Sequence, residues 1–285
     1  MYFLRRIRYA FAIPWQRTLY IMFIAQLMTA IGFSSIWPFF PLYVNELGSS
    51  TGMSLELLAG LVFSAQAFTM MIASPVWGNL ADRYGRKLMV ERAMFGGSAI
   101  LLLMGFVQSA EQLVILRAIQ GLITGKIAAA NALGGSVAPH EHAGYGMGLL
   151  QVGQGTGVAL GPIIGGVIAD RWGYSATFYV TAVLLLLGGR LVFFGVQEHF
   201  KPRPAGAKGQ AGLRAAWREI YSFAGVPVTF VLQFFSQLGF NLLAPILPLF
   251  IPTLLGPAQE INTFTGLVVG INAAAATISS LFFGP

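Results

Sequence analysis

Long apolar runs, parted by short polar interruptions, fill this chain from about residue 19 to its end. A helix that crosses a bilayer needs about 20 mostly apolar residues. The runs reach that length near Leu19 to Val44, Leu57 to Leu80, Leu88 to Val107, Leu113 to Val137, Tyr145 to Ala169, Tyr174 to Val196, Val226 to Leu254 and Thr263 to Gly284. Hydrocarbon holds no water to satisfy backbone N–H and C=O groups, so such runs must be helices. The pattern predicts an all-α integral membrane protein with eight spans. A soluble bundle of buried helices is the alternative, and the run lengths stand against it.

The first span also has an internal echo. Phe23 to Leu42 (FIAQLMTAIGFSSIWPFFPL) returns at Phe230 to Leu249 (FVLQFFSQLGFNLLAPILPL), 207 residues later. Gln26 matches Gln233, Gly32 and Phe33 match Gly239 and Phe240, and Pro38 and Pro41 match Pro245 and Pro248. Span eight follows span two at an offset of 206, pairing Gly60 with Gly266, Ser74 with Ser280 and Gly78 with Gly284. Internal repeats of this kind mark transporter folds. The predicted organisation is a six-span bundle at residues 1–197, a linker at 198–225 and two further spans at 226–285. Pro, Gly, Ala and charge crowd Glu198 to Trp217, as a linker requires. Its basic residues fit a solvated loop, with contact to anionic lipid as the alternative.

Composition then narrows the class. Hydrophobic residues make up 56% and charged residues 9%, where an ordinary soluble domain carries roughly 25% charged. The net charge of +7 is unevenly spread. Arg5, Arg6, Arg8 and Arg17 precede span one; Arg83, Arg86, Lys87 and Arg92 are assigned between spans two and three; Lys201, Arg203, Lys208, Arg214 and Arg218 lie between six and seven. The other side receives only Arg171. Short loops rich in Lys and Arg stay cytoplasmic, so the N-terminus is expected there. The charge therefore reports topology, and nucleic acid is not an expected partner. The apolar stretch Tyr9 to Pro14 is too short for a signal-peptide core, which leaves span one as an uncleaved insertion signal. Without cysteine, disulfides, thiol catalysis and cysteine-ligated metals are excluded. No nucleophile, base or metal constellation stands out, so neither enzyme activity nor a cofactor or metal is expected.

Several short patterns carry candidate chemistry. Between spans two and three stands Gly78-Asn79-Leu80-Ala81-Asp82-Arg83-Tyr84-Gly85-Arg86-Lys87-Leu88. Gly78 is expected to let two helices approach closely. Asp82 is expected to face a helix N-terminus, where unpaired amides favour a carboxylate, with Arg86 or Lys87 to hold it. The orientation rule accounts for the charges but not for the Gly-x-x-x-Asp-x-x-Gly spacing. Span four carries Leu113-x3-Arg117-x2-Gln120-Gly121. An intramembrane charge is costly and so a functional candidate, although Arg117, about 7 Å inside its span, could also snorkel. Lys126 lies about 21 Å into the same span and half a turn around from Arg117. It either lines a substrate cavity, which would favour anionic substrates, or snorkels or makes a structural contact. Span five reads Gly153-x3-Gly157-x3-Gly161-Pro162-x2-Gly165-Gly166. Its glycines form a groove for a small-residue helix, with Ala273 to Ala276 of span eight as the expected partner, and Pro162 should bend the span. Plain packing is the simpler reading of the stripe. Asp82, Glu91, Glu111 and Asp170 fall at span ends, and His140, His142 and His199 in cytoplasmic loops, so no embedded carboxylate offers itself as a proton site.

These three patterns, with the paired prolines Pro38 and Pro41 after Gly32 in span one as a fourth, stand in spans and an order that resemble the motifs of the major facilitator superfamily and, within it, the twelve-span drug:proton antiporter family. Ala73-Ser74-Pro75-Val76-Trp77-Gly78, Leu116-Arg117-Ala118 and Asn131-Ala132-Leu133 are most like the MdtG-type multidrug efflux proteins. The resemblance implies a six-helix N-terminal half plus the first two helices of the C-terminal half, with four family spans unaccounted for. It implies that Gly78, Asp82, Arg83, Gly85, Arg86 and Lys87 form a gating latch, and that Arg117, Gln120 and Gly121 couple proton movement to transport. Gly153, Gly157, Gly161, Pro162, Gly165 and Gly166 would be the antiporter motif. Phe33, Trp37, Pro38, Pro41, Lys126 and Phe240 are cavity candidates, lipid-facing packing being equally open for the aromatics. The implied activity is proton-coupled multidrug efflux by a monomer in a bacterial inner membrane, with a drug-like molecule, protons and the bilayer as partners. A metabolite or sugar porter of the same superfamily is the alternative, disfavoured by the span-five motif; a truncated, non-transporting membrane scaffold is another.

Overall fold

The computed structural model describes residues 14–123, 139–196, 198, 221–223, 225–243, 246, 250–251 and 260–283. The long helices are α1 (Pro14–Ile36), α2 (Leu55–Tyr84), α3 (Arg86–Met104), α4 (Ala110–Ile123), α5 (Ala143–Trp172), α6 (Tyr174–Gly195), α7 (Val226–Leu243) and α8 (Ile261–Phe283). Each overlaps one apolar run, α4 and α7 being described over only part of theirs. Lys126 and the rest of span four, most of the linker, and Pro245 and Pro248 lie outside the described residues.

The departures from the expected boundaries have local causes. Proline lacks an N–H and its ring crowds the preceding turn. Span one accordingly breaks after Ile36 into a 3-10 turn at Trp37–Phe39 and resumes as a short helix, Phe40–Leu47. Spans two and three are joined by Gly85 alone, whose φ of 99° suits glycine. Its N–H closes α2 on the Ala81 carbonyl at 3.0 Å, and α3 begins at the next residue. Gly173, with φ of 80°, joins α5 to α6 in the same way. The sequence reading of Arg92 as a loop residue is corrected: it lies in the second turn of α3, its guanidinium 3.2 Å from the centre of the Trp77 ring. Glu91 beside it is buried.

Among the described residues, five stretches are long and apolar enough to cross a membrane: Pro14–Leu47, Leu55–Tyr84, Ala143–Trp172, Tyr174–Gly195 and Ile261–Ser279. Helix α3 misses that mark because Arg86, Lys87, Glu91 and Arg92 crowd its first two turns. α1 packs against α5 and α6, α3 against α6, α2 against α4, and α8 against α5. One core cluster gathers Phe40, Tyr43, Leu58, Leu101, Met104, Leu113 and Phe178. A second, near the start of α1, gathers Leu19, Met22, Met89, Met94, Leu150 and Val192. Phe68, Met71, Phe106 and Phe194 are exposed on the outside, and α7 is exposed nearly throughout. An outer surface of this kind suits lipid, and this is a multi-pass membrane protein.

Candidate functional site

Arg117 is the most deeply enclosed charge described, with 2% of its surface exposed, so it does not snorkel. Burying a guanidinium is tolerable only when its donors find partners. Nε donates to the Val62 carbonyl at 3.0 Å and Nη1 to Gln120 Oε1 at 2.8 Å. The guanidinium carbon stands 4.3 Å from the centre of the Phe40 ring and 5.9 Å from that of Trp37, and such rings attract a cation through their faces. Nη2 has no hydrogen-bond partner among the described residues. One turn further on, Gly121 brings α4 against α2: a Cβ there would overlap the Gln66 carbonyl and the Thr69 hydroxyl. Thr69 donates to the Ala118 carbonyl at 2.8 Å. Thus Gly121 sets the spacing, Gln120 holds the guanidinium and Arg117 ties α4 to α2 beneath the break in span one. The sequence named these three but missed Val62, Thr69 and Phe40, which carry no motif of their own.

The glycine stripe of α5 has a different partner from the one expected. Gly153 meets Phe23, Gly157 meets Ala30 and Ile31, Gly161 meets Ser34 and Ser35, and Gly165 meets the Ser35 backbone. All these are on α1. Ser34 donates to the Gly157 carbonyl at 2.9 Å, and Gln26, one member of the repeat, donates to Gln154. Helix α8 lies instead on the opposite side of α5, about 200° around at Gly155. There Gly155 meets Thr277, Gly166 meets Asn262 and Thr263, Gly266 meets the Pro162 carbonyl, and Gly270 meets Ala159 and Ile163. On α8 the face that meets α5 is marked by Gly266, Gly270 and Thr277; of the expected Ala273 to Ala276, Ala273 and Ala274 are half-buried and Ala275 and Ala276 are exposed.

Where α5 ends, its last turn grips the start of α8. Asp170 Oδ1 accepts from the Asn262 backbone N–H at 3.2 Å and from its Nδ2 at 2.8 Å. Oδ2 accepts from the Thr263 N–H at 2.7 Å and its hydroxyl at 2.6 Å. Tyr174 donates to Asn262 Oδ1 at 2.8 Å. A helix start leaves unpaired N–H groups and a partial positive charge, which a carboxylate offsets. At the same end Glu111 gathers residues 49–51, accepting from the Ser49, Ser50 and Thr51 hydroxyls and from the Ser50 and Thr51 amides at 2.8–3.2 Å. Desolvation works to raise its pKa, but hydrogen bonds from its own amide, Ser49, Thr51 and Ser50 outweigh it and hold the carboxyl well below the usual range.

At the opposite end the expected latch residues are spread out. Asp82 is exposed and bonds to no described residue. Among the described residues, no atom lies within 4 Å of a Cβ at Gly78, so none of them is the close helix neighbour expected there. Arg83 lies over the Tyr84 ring at 5.4 Å. The carboxylate that meets a helix start is Glu198: it accepts from the Arg86 and Lys87 amides at 3.0 and 2.8 Å, capping α3. Lys87 Nζ donates to the Phe193 carbonyl at 2.9 Å and pairs with Glu91 at 3.4 Å. Of the cavity candidates, Pro38 and Pro41 are buried, Phe33 packs on the first core cluster, and Trp37, 37% exposed, stands edge-on to Phe63. Phe240 falls within α7.

Comparison with protein families matches residues 22–285 to the family described as Major Facilitator Superfamily. Over 268 residues the chain is 36% identical to Multidrug resistance protein MdtG of Rahnella sp. (strain Y9602), covering 94% of this chain and 65% of that one. It is 37% identical over the same length to proteins of that name from Salmonella paratyphi A and Serratia proteamaculans (strain 568), again over 94% of this chain and 66% and 65% of theirs. The chain therefore spans about two thirds of the length of these relatives. In shape it is similar to a crystal structure of a D-xylose-proton symporter, with a TM-score of 0.72 at 17% identity over 93% of this chain and 68% of that one. That likeness speaks for the fold.

Proposed function

This chain belongs to the major facilitator superfamily, and from that premise we propose that it serves proton-coupled export of drug-like small molecules by alternating access. The observation that carries the reading is the double glycine face of α5, with α1 on one side and α8 on the other. Glycine-lined contacts lack interdigitating side chains, so backbones lie close and one bundle can rock against another without repacking. The Asp170 cap on α8 is the discrete bond set that such rocking must break. In this reading the Asp170 end faces outward and is closed, while the exposed Asp82 is free to take up a helix start when the halves tilt the other way. Arg117 has a guanidinium donor to spare beneath Trp37, where a proton-dependent contact can form. The relatives' printed name, multidrug resistance protein, supplies the substrate class. The protein would act as a monomer in a bacterial inner membrane with its N-terminus cytoplasmic, without cofactor, metal or nucleic acid.

The test is a drug-susceptibility and efflux panel in a host lacking its own exporters, with and without a proton uncoupler. Export that collapses with the uncoupler is expected; export indifferent to it, or sugar uptake in place of export, refutes the reading. Sidedness is tested separately, since the chain has no cysteine. Single cysteines placed at Ser50 and Gln210 should react with an impermeant thiol reagent on intact cells only at position 50, and the reverse pattern overturns the orientation.

A further inference from the structure

Two arginines outside the Arg117 site share one groove on the outer surface of the bundle. Arg17 stands in the first turn of α1, and Arg190 lies five residues before the end of α6. Both are exposed, and neither hydrogen-bonds or pairs with an acid among the described residues. Both line a groove of about 830 Å³ between the two helices. Two like charges without an acidic partner at one groove repel each other, so the pair invites an anion.

The rest of the groove is apolar. Along α1 its wall runs Arg17, Ile21, Ile24, Met28, at the three- and four-residue steps that keep side chains on one helix face. Along α6 it runs Leu187, Leu191, Phe194 in the same way. From Arg17 to Met28 the helix rises about 16 Å, and half of a bilayer's hydrocarbon core is about 15 Å. The groove thus reaches from charges near the membrane surface to about the midplane, the depth of one leaflet. A soluble anion would use the arginines and leave that wall unused.

We propose that this groove is a binding site for an anionic phospholipid. The phosphodiester lies between the Arg17 and Arg190 guanidiniums, whose planar forks suit phosphate oxygens, and one acyl chain lies along the α1 and α6 wall. By the charge bias this is the cytoplasmic leaflet. The proposal goes beyond the export reading and does not depend on it.

Native mass spectrometry of the purified chain, titrated with phosphatidylglycerol or with phosphatidylcholine of the same acyl chains, tests the site. The parent should retain phosphatidylglycerol preferentially. Arg17→Gln with Arg190→Gln should weaken that retention about 25-fold, roughly five-fold per arginine, while Arg17→Lys with Arg190→Lys keeps much of it. Leu187→Trp with Met28→Trp, which fills the groove and leaves both arginines, should also weaken lipid retention. Equal retention of the two lipids by the parent overturns the proposal, as does unchanged phosphatidylglycerol retention in either the double-Gln or the double-Trp variant. Displacement of the lipid by millimolar inorganic phosphate would mark a site for a free anion and likewise overturn it.

Discussion

Replacing Asp170 by alanine should unlock one end of the contact between α5 and α8. The carboxylate accepts four hydrogen bonds at 2.6–3.2 Å, two of them from backbone amides at the start of α8. Losing a helix cap costs about 1 kcal/mol, and the two side-chain donors left without their partner add about 1 kcal/mol more. A change of about 2 kcal/mol multiplies the open population roughly 30-fold. The readout exploits the absence of native cysteine. Thr265, buried one turn inside α8, is replaced by cysteine, and its reaction with a maleimide is timed in nanodiscs, where both faces are accessible. Labelling should be slow with Asp170 present and about 30-fold faster in Asp170→Ala. Asp170→Asn, which keeps one acceptor but no charge, should fall between. Asn262→Asp, which sets a second carboxylate against the first, should mimic the alanine variant. If Asp170→Ala and Asn262→Asp both leave the labelling rate within two-fold of the parent, the cap does not hold the helices together and the reasoning fails.

Arg117→Met and Arg117→Lys should each lower export at least ten-fold at equal expression, because lysine cannot reach the Val62 carbonyl and Gln120 with one fork; activity retained in the lysine variant would show that charge alone suffices. Gly121→Ala should destabilise by about 1–3 kcal/mol through overpacking against Gln66 and Thr69. Gly78→Ala, with no described atom within 4 Å of the added methyl group, should be neutral or slightly stabilising, and equal melting losses for the two would refute the packing argument. Glu111 is depressed in the folded protein, so its contribution is present above the ordinary carboxylate range and is lost only as pH falls well below it. Hydrogen exchange of the Ser50 and Thr51 amides should therefore stay protected from pH 7 down through about pH 4, and a loss of protection centred near the unperturbed value of about 4.3 would contradict this.

Hydrophobic patterning made the helices legible because lipid imposes length and polarity on every span, which is why α1, α2, α3, α5, α6 and α8 lie close to their apolar runs. It could not rank neighbours. Gly153, Gly157, Gly161 and Gly165 announce a close contact, yet nothing along the chain says whether α1 or α8 fills it. The second face at Gly155 and Gly166 stands out only once both partners are in place. Arg117 was readable because a charge inside an apolar run is costly, and Gln120 and Gly121 because the pattern around it resembles a superfamily motif. Their acceptor Val62 was not, since any residue can offer a carbonyl.

Carboxylates at helix starts show the same limit from another side. The sequence offered Asp82 for that role, because the spacing around it was distinctive. Among the described residues the role is filled by Glu198 on α3 and Asp170 on α8. Glu198 stands in no such pattern, while Asp170 has the spacing of Asp82, Gly166-x3-Asp170-x2-Gly173, at a helix end where the sequence reading looked only for glycine packing. The physical demand is only that a negative group arrive within about 3 Å of unpaired amides, and that depends on where two helix ends meet in space. Asp170 satisfies it from the far end of the helix that also carries both glycine faces. On the proposed reading the same helix supplies both the smooth contact for rocking and the bonds that oppose it, so shortening Asp170 should change how often the contact opens without changing how α1 packs on Gly157 and Gly161. Cysteine placed at Ala30, which is buried in the contact of α1 with Gly157, should accordingly label at the same slow rate in the parent and in Asp170→Ala. Acceleration at Ala30 matching that at Thr265 would mean that the two faces of α5 come apart together, and would assign Asp170 to the stability of the whole bundle.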